Sequence, residues 1–128
     1  MMALPFTITG KVIHGASLGN TYNSPTANII PEEDVSTLAH GVYFSRIRIG
    51  DRTYPAITNL GIRPTVSSDG EVNAETYIYG MSRNIYDMDV SIVLLEFSRP
   101  EKKFSSQNEL FATVKEDIRA GADFHGIS

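Results

Sequence analysis

The sequence predicts a mostly β domain that ends in one amphipathic helix, with the strands forming a small barrel or a sandwich. Three observations carry this. Short apolar–polar alternating segments recur from Phe6 to Phe97, separated by Gly-Asp, Asp-Gly and proline-containing turns. The periodicity then changes, and Leu110, Val114 and Ile118 recur at helical spacing. The chain has 128 residues, 41% hydrophobic and 20% charged, which suits one globular domain over 1–128.

Each element has its own signature. FTITGKVIH places Phe6, Ile8 and Val12 on one parity, with Gly10 between them as a bulge or a point of close approach. GVYFSRIRI sorts Tyr43, Ser45, Ile47 and Ile49 onto one face and Phe44, Arg46 and Arg48 onto the other, as in a half-buried strand. Gly50-Asp51 follows, and glycine at the first central position suits a type II′ hairpin. Pro55 demotes part of the next strand to an edge or a bulge, because proline donates nothing to a ladder. Asp69-Gly70 signals a second hairpin, leading into a strand through Glu75, Tyr77 and Tyr79. MDVSIVLLEF alternates and then turns apolar on both parities, which reads as the most buried strand. In SSQNELFATVKEDIRAG, Ser106 and Glu109 have capping-box spacing, Phe111 sits beside the apolar stripe and Gly121 is a natural stop. This helix is expected to cover the sheet, with the residues around Gly126 fraying.

Composition narrows the function. With no cysteine, disulfides, iron–sulfur sites and thiol catalysis are excluded. A formal net charge of −4 argues against nucleic acid as a partner. No apolar run approaches the ~20 residues that span a bilayer, and MMALPFTITGK lacks a secretory pattern, so a cytoplasmic address is expected.

Several clusters carry polar chemistry. In NSPTANII, Pro25 stiffens the chain, and Thr26 and Asn28 leave an extended segment on the same face. They read either as solvated residues at a strand entry or as two hard oxygen ligands for a cation. HGASLGN places Gly15 and Gly19 just after a strand, where backbone N–H groups can approach phosphate, although no Walker motif is present. Glu75, flanked by aromatic residues in NAETYIY, is a rim carboxylate or a placed base. RPEKKF reads as a charged connector before the helix. His14, His40 and His125 lack metal-ligand spacing, and Asp87 and Asp89 read as a solvated strand edge.

Taken in order, the Gly-rich turn, Pro-Thr-Ala-Asn, GVY, NLGIRPT, a strand glutamate, IY, RPEKKF and a capped helix resemble the riboflavin kinase family over nearly the whole chain, which sets the domain core at about Leu4 to Asp123. In bacteria this kinase is usually the C-terminal module of a bifunctional FAD synthetase. The resemblance implies a small closed six-stranded antiparallel barrel with a C-terminal α-helix. It implies transfer of the γ-phosphoryl group of ATP to the ribityl 5′-hydroxyl of riboflavin, giving FMN and ADP. Thr26 and Asn28 would hold the Mg²⁺ that accompanies ATP, and Glu75 would be the catalytic base. Gly15, Ala16, Ser17, Gly19, Asn20 and Pro25, with Thr26, would bind the nucleotide. Arg99, Pro100, Glu101 and Phe104 would bind the flavin from a closing loop. An adenylyltransferase module is the expected partner if the chain is a fragment. A catalytically weak flavin- or nucleotide-binding module of the same fold is the alternative.

The departures from the family pattern gather on the donor side. Asn20 stands where arginine is common, and Tyr22-Asn23-Ser24 replaces a Leu-Gly-Phe-like run. Tyr77 takes the place of a common histidine after the glutamate, and Asp87 the place of a glycine.

Overall fold

The computed structural model describes residues 3–13, 26–63, 71–81 and 83–127. Within them the chain forms β1 (Phe6–Lys11), β2 (Thr26–Ile29), β3 (Gly41–Ile49), β4 (Arg52–Arg63), β5 (Glu71–Ile78), β6 (Asp89–Pro100) and then α1 (Gln107–His125). The sheet order is β1-β6-β3-β4-β5-β2, and every pairing is antiparallel.

The sheet curls into a half-barrel. Its edge strands β1 and β2 share no ladder among the described residues and meet through a seam of single contacts. Ile13 bridges Asn28, with Ile13 N–H donating to the Asn28 carbonyl at 2.8 Å. Glu32 N–H donates to the Thr9 carbonyl at 3.0 Å, and the Glu33 carboxylate accepts from Thr9 N–H at 2.7 Å. Gly10 marks the close approach expected of it: a Cβ there would lie 3.1 Å from both Ile29 Cβ and the Ile30 carbonyl oxygen.

Side-chain alternation decides what fills the half-barrel. Ile8 and Val12, Ala27 and Ile29, Tyr43, Ile47 and Ile49, Leu60, Ala74, Ile78, Ile92 and Leu94 point inward and are buried. Three hydroxyls lie among them. Ser45, Thr58 and Thr76 are fully buried and satisfy one another, with Oγ–Oγ1 and Oγ1–Oγ1 distances of 2.8 Å each. This chain of polar pairs crosses β3, β4 and β5, and it tolerates burial because each hydroxyl has a partner.

The second face is covered only in part. α1 lays Ile118 and Ala122 on Val42, Ile57 and Tyr79, so it covers β3 and β4. β6 is therefore buried on its inner face alone: Val90, Ile92 and Leu94 are buried, while Val93 and Leu95 are half-buried. The run that reads as apolar on both parities reflects a central strand without a helix over its outer side.

Turn chemistry follows the sequence closely. Ile49 pairs Arg52 across Gly50-Asp51, and φ is +63° at Gly50, as a type II′ turn needs. Pro55 pairs with Arg46 of β3 one residue before the β5 ladder starts at Ala56, and on that second side only its carbonyl is used, accepting from Tyr79 N–H at 3.0 Å. The Asp69-Gly70 turn falls outside the described residues. Asp87 takes φ +68°, a left-handed conformation that Asp tolerates better than most residues.

The helix differs from the expectation at its end. Ser106 is the N-cap, and its side chain accepts from Glu109 N–H at 3.1 Å. Gly121 does not stop the helix; it is buried in mid-helix, where a Cβ would lie 2.3 Å from Tyr79 Oη and 2.5 Å from Ile57 Cγ2. Its missing side chain lets α1 sit close to the sheet. The stop is Gly126, left-handed at φ +71°, and Ile127 N–H closes the turn onto the Ala122 carbonyl at 2.8 Å. Ile127 also packs beneath α1, so this end is tied down rather than frayed. No helix among the described residues is long and apolar enough to cross a membrane.

Candidate active site

Register builds the site on the outer face of β2, β5 and β4. Asn28 pairs directly with Glu75, and Glu75 pairs with Asn59 on its other side. Thr26 pairs with Tyr77, one step further along the same face. Directly opposed residues in antiparallel strands have Cβ atoms roughly 5 Å apart. Thr26, Asn28 and Glu75 are therefore neighbours, although 46 or more residues separate Glu75 from Asn28 and Thr26 in the chain. Ala27 and Ile29 point into the core, so alternation alone turns Thr26 and Asn28 together onto the outer face.

The environment of the two β2 residues differs. Asn28 is only 6% exposed, and its Oδ1 accepts from Asn73 Nδ2 at 3.1 Å. Asn73 sits two residues before Glu75 on the same face of β5. Thr26, Glu75 and Tyr77 are half-buried, open enough to be reached from solvent. Tyr77 packs edge-on against Tyr79, with ring centroids 5.0 Å apart, forming an aromatic wall beside the carboxylate. Burial, the Tyr77 phenol and the Asp117 carboxylate push the Tyr79 phenol up, and its O–H donates to the Ile118 carbonyl at 2.6 Å. Tyr79 is thus a packing residue under the helix.

The segment after β6 reaches this face through one side chain. Gly61 is the register partner of Asn73, and a Cβ on Gly61 would lie 2.1 Å from Glu101 Oε1. The Glu101 carboxylate thus occupies the place of a side chain at position 61, beside Asn73 and one row from Glu75. Its other oxygen lies 3.8 Å from His40 Nδ1. Arg99 is directed elsewhere: its Nε and Nη2 donate to the two Asp117 carboxylate oxygens at 2.7 Å each. This bidentate pair fastens the start of the segment to α1. Pro100 pairs with Gly41, so the GVY and RPEKKF motifs meet in register. Phe104 is half-buried, with Lys102 Nζ 5.9 Å from its ring centroid.

Thr26, Asn28, Glu75 and Glu101 thus share one face, while the Arg99 guanidinium is committed to the helix. Gly15, Ala16, Ser17, Gly19, Asn20 and Pro25 lie outside the described residues. Lys11, a cation near that segment in sequence, places its Nζ 3.1 Å from the Asp87 carbonyl oxygen and 3.6 Å from Asp89. Asn73, Asn59 and Gly61 belong to the face and were missed from sequence. Period-2 counting back from Glu75 reaches Asn73, but Asn59 and Gly61 depend on the β4–β5 register.

Comparisons with known proteins bear on the family and the fold. The family model described as "Flavokinase: Riboflavin kinase" matches residues 2–125. A bifunctional riboflavin kinase/FMN adenylyltransferase of Pseudomonas fluorescens is 31% identical over 120 residues, which cover 94% of this chain and 38% of the relative. A solved structure from Streptococcus pneumoniae, described as a macrolide-efflux protein, is similar with a TM-score of 0.78 and 30% identity, covering 91% of this chain and 38% of that one. The riboflavin kinase of Trypanosoma brucei shares the fold, with a TM-score of 0.65 and 24% identity over 94% of this chain and 79% of that one. The chain spans well under half the length of the curated relative it matches.

Proposed function

The chain belongs to the riboflavin kinase family, and from that premise we propose that it transfers the γ-phosphoryl group of ATP to the ribityl 5′-hydroxyl of riboflavin, giving FMN and ADP. The observation that carries this reading is the register pairing of Asn28 with Glu75, with Thr26 beside them. It joins two neutral oxygens and one carboxylate on a reachable face. Phosphoryl transfer needs little more from the protein than positioning, charge neutralisation and a group to take the hydroxyl proton.

The roles follow from the chemistry of each side chain. The Glu75 carboxylate accepts the 5′-hydroxyl proton as the ribityl oxygen bonds to the γ-phosphorus and the bond to the β-phosphate oxygen breaks. Thr26 and Asn28 would hold Mg²⁺. Mg²⁺ takes few protein ligands and completes its shell with water and phosphate, which a neutral Thr/Asn pair suits. The fit has support in the near-complete burial of Asn28, a polar group whose exposure to solvent is already lost. When bound, the ion neutralises phosphate charge during transfer.

The remaining assignments complete the proposal. Gly15, Ala16, Ser17, Gly19, Asn20 and Pro25 line the nucleotide phosphates with Thr26. Pro100, Glu101 and Phe104 receive the flavin, and Arg99 supports them by anchoring their segment to α1. The β1–β2 seam completes a closed barrel that keeps β2 rigid. An FMN adenylyltransferase module, as the bacterial relative's name records, is the expected partner, and the cytoplasm the expected address.

Incubation with riboflavin, ATP and Mg²⁺, followed by chromatography, tests the reading. FMN should form in step with ADP. Riboflavin binding with no FMN formed would overturn it in favour of a flavin-binding module.

A further inference from the structure

Asn73 is a polar residue on the site face that the family reading leaves without a task. Its Nδ2 donates to Asn28 Oδ1 at 3.1 Å. Its own Oδ1 is buried and finds no hydrogen-bond partner among the described residues. A buried carbonyl without a partner is costly, and such a group in a folded protein calls for a reason. Opposite Asn73 the β4 position is Gly61, and the Glu101 carboxylate fills that place. An ionised carboxylate has no proton to donate, so it offers nothing to the orphan oxygen.

We propose that Asn73 is a positioning residue for the cation: its N–H fixes the Asn28 amide with the carbonyl oxygen facing the metal, and its own carbonyl oxygen accepts from a water of the hydrated ion. This rests on the reading of Thr26 and Asn28 as the metal pair. An amide presents either a donor or an acceptor, depending on which way it is turned. Only the oxygen can meet a cation. An N–H delivered to Asn28 Oδ1 locks that end in place and leaves the second lone pair of the oxygen for the ion. Mg²⁺ keeps several waters, each a donor, and such a donor is what the orphan carbonyl lacks. Partners that orient metal ligands in this way typically change metal affinity by about 10–100-fold when removed.

ADP affinity measured by calorimetry, in EDTA and in saturating MgCl₂, tests the proposal. The ratio of the two affinities is the gain conferred by the metal. It is compared among the parent, Thr26→Ala, Asn73→Leu and Asn73→Ala, with melting temperature measured alongside. Asn73→Leu keeps the shape and removes the unpaired carbonyl, but it also removes the donor to the buried Asn28 Oδ1; the two effects oppose, so its melting temperature should stay near the parent's. Its metal gain should fall roughly tenfold or more, while the affinity in EDTA stays unchanged. Asn73→Ala should lose the same gain. A parental gain in both Asn73 variants, beside a lost gain in Thr26→Ala, would overturn the role of Asn73 and leave the metal pair standing. A loss of gain that accompanies a collapse in melting temperature in both variants would make Asn73 structural, and overturn the proposal as well. No metal gain in the parent would sink the metal pair and this proposal together.

Discussion

Gly121→Ala opposes two well-measured effects in one substitution. In an exposed helix, alanine for glycine stabilises by about 1 kcal/mol. Here the added methyl would lie 2.3 Å from Tyr79 Oη, 2.5 Å from Ile57 Cγ2 and 3.2 Å from Tyr79 Cζ. Neither neighbour can step aside. Ile57 belongs to β4 and is 7% exposed, and the Tyr79 O–H is held by the Ile118 carbonyl at 2.6 Å. Overpacking of this kind costs about 1–3 kcal/mol, and displacing the phenol from its acceptor costs about 1 kcal/mol or more. The unfavourable terms win by roughly 2 kcal/mol, or about 6–10 °C in melting temperature for a domain of this size. Thermal denaturation followed by circular dichroism reads this directly. Tyr79→Phe removes the nearest clashing atom, so the double variant should show a positive coupling in a double-mutant cycle. A melting temperature for Gly121→Ala at or above the parental value would refute the claim that this glycine sets the helix–sheet distance.

Other outcomes follow from single contacts. Burial would raise the Glu33 carboxyl, but hydrogen bonds from the Thr9 side chain and backbone outweigh it and hold the group below its usual 4.5. Glu33 therefore contributes stability above pH 4.5 that is lost as pH falls through the lowered value. Glu33→Gln should cost about 1 kcal/mol at neutral pH after allowing for its partial exposure, and the gap should narrow in acid; a gap that widens below pH 4.5 would contradict this. Asp87 is held at φ +68°, so Asp87→Gly should raise stability in a urea titration by about 0.5–1 kcal/mol, and a lower midpoint would count against it. Asn20→Arg should tighten ATP binding or raise turnover, because the ammonium of Lys11, a cation near that segment in sequence, is placed against Asp87 and Asp89 and a charge-assisted bond to phosphate is strong; no change in either parameter would show that the donor loop needs no further charge.

Local rules made much of this molecule legible. Period-2 alternation assigned both faces of Gly41–Ile49, and the Ser106 cap and the Gly50 turn are written in three or four residues each. The same alternation placed Thr26 and Asn28 on one face. What the sequence hid was non-local. Gly121 looks like any helix stop until Tyr79 and Ile57 lie under it, and then Gly126, with its αL turn, is the cap. The outer side of β6 reads as buried, yet α1 lies over β3 and β4 instead. Asn59 and Gly61 join the site only through pairing register, which single-chain periodicity does not carry. RPEKKF reads as one motif, but its side chains diverge: Arg99 goes to Asp117 on the helix and Glu101 to the site face.

The reading depends most on Glu75, which faces Asn28 across β2 and Asn59 across β4. Glu75→Gln keeps the size and one oxygen but cannot take the hydroxyl proton. FMN formation under saturating riboflavin, ATP and Mg²⁺, measured beside the affinities of both substrates and the melting temperature, is the direct test. A general base contributes about 10²–10⁴-fold, so turnover should fall by that much. Substrate affinities should change less than roughly tenfold, since the lost interaction acts in the transition state, and the melting temperature should hold. Turnover by Glu75→Gln close to that of the parent would contradict the account.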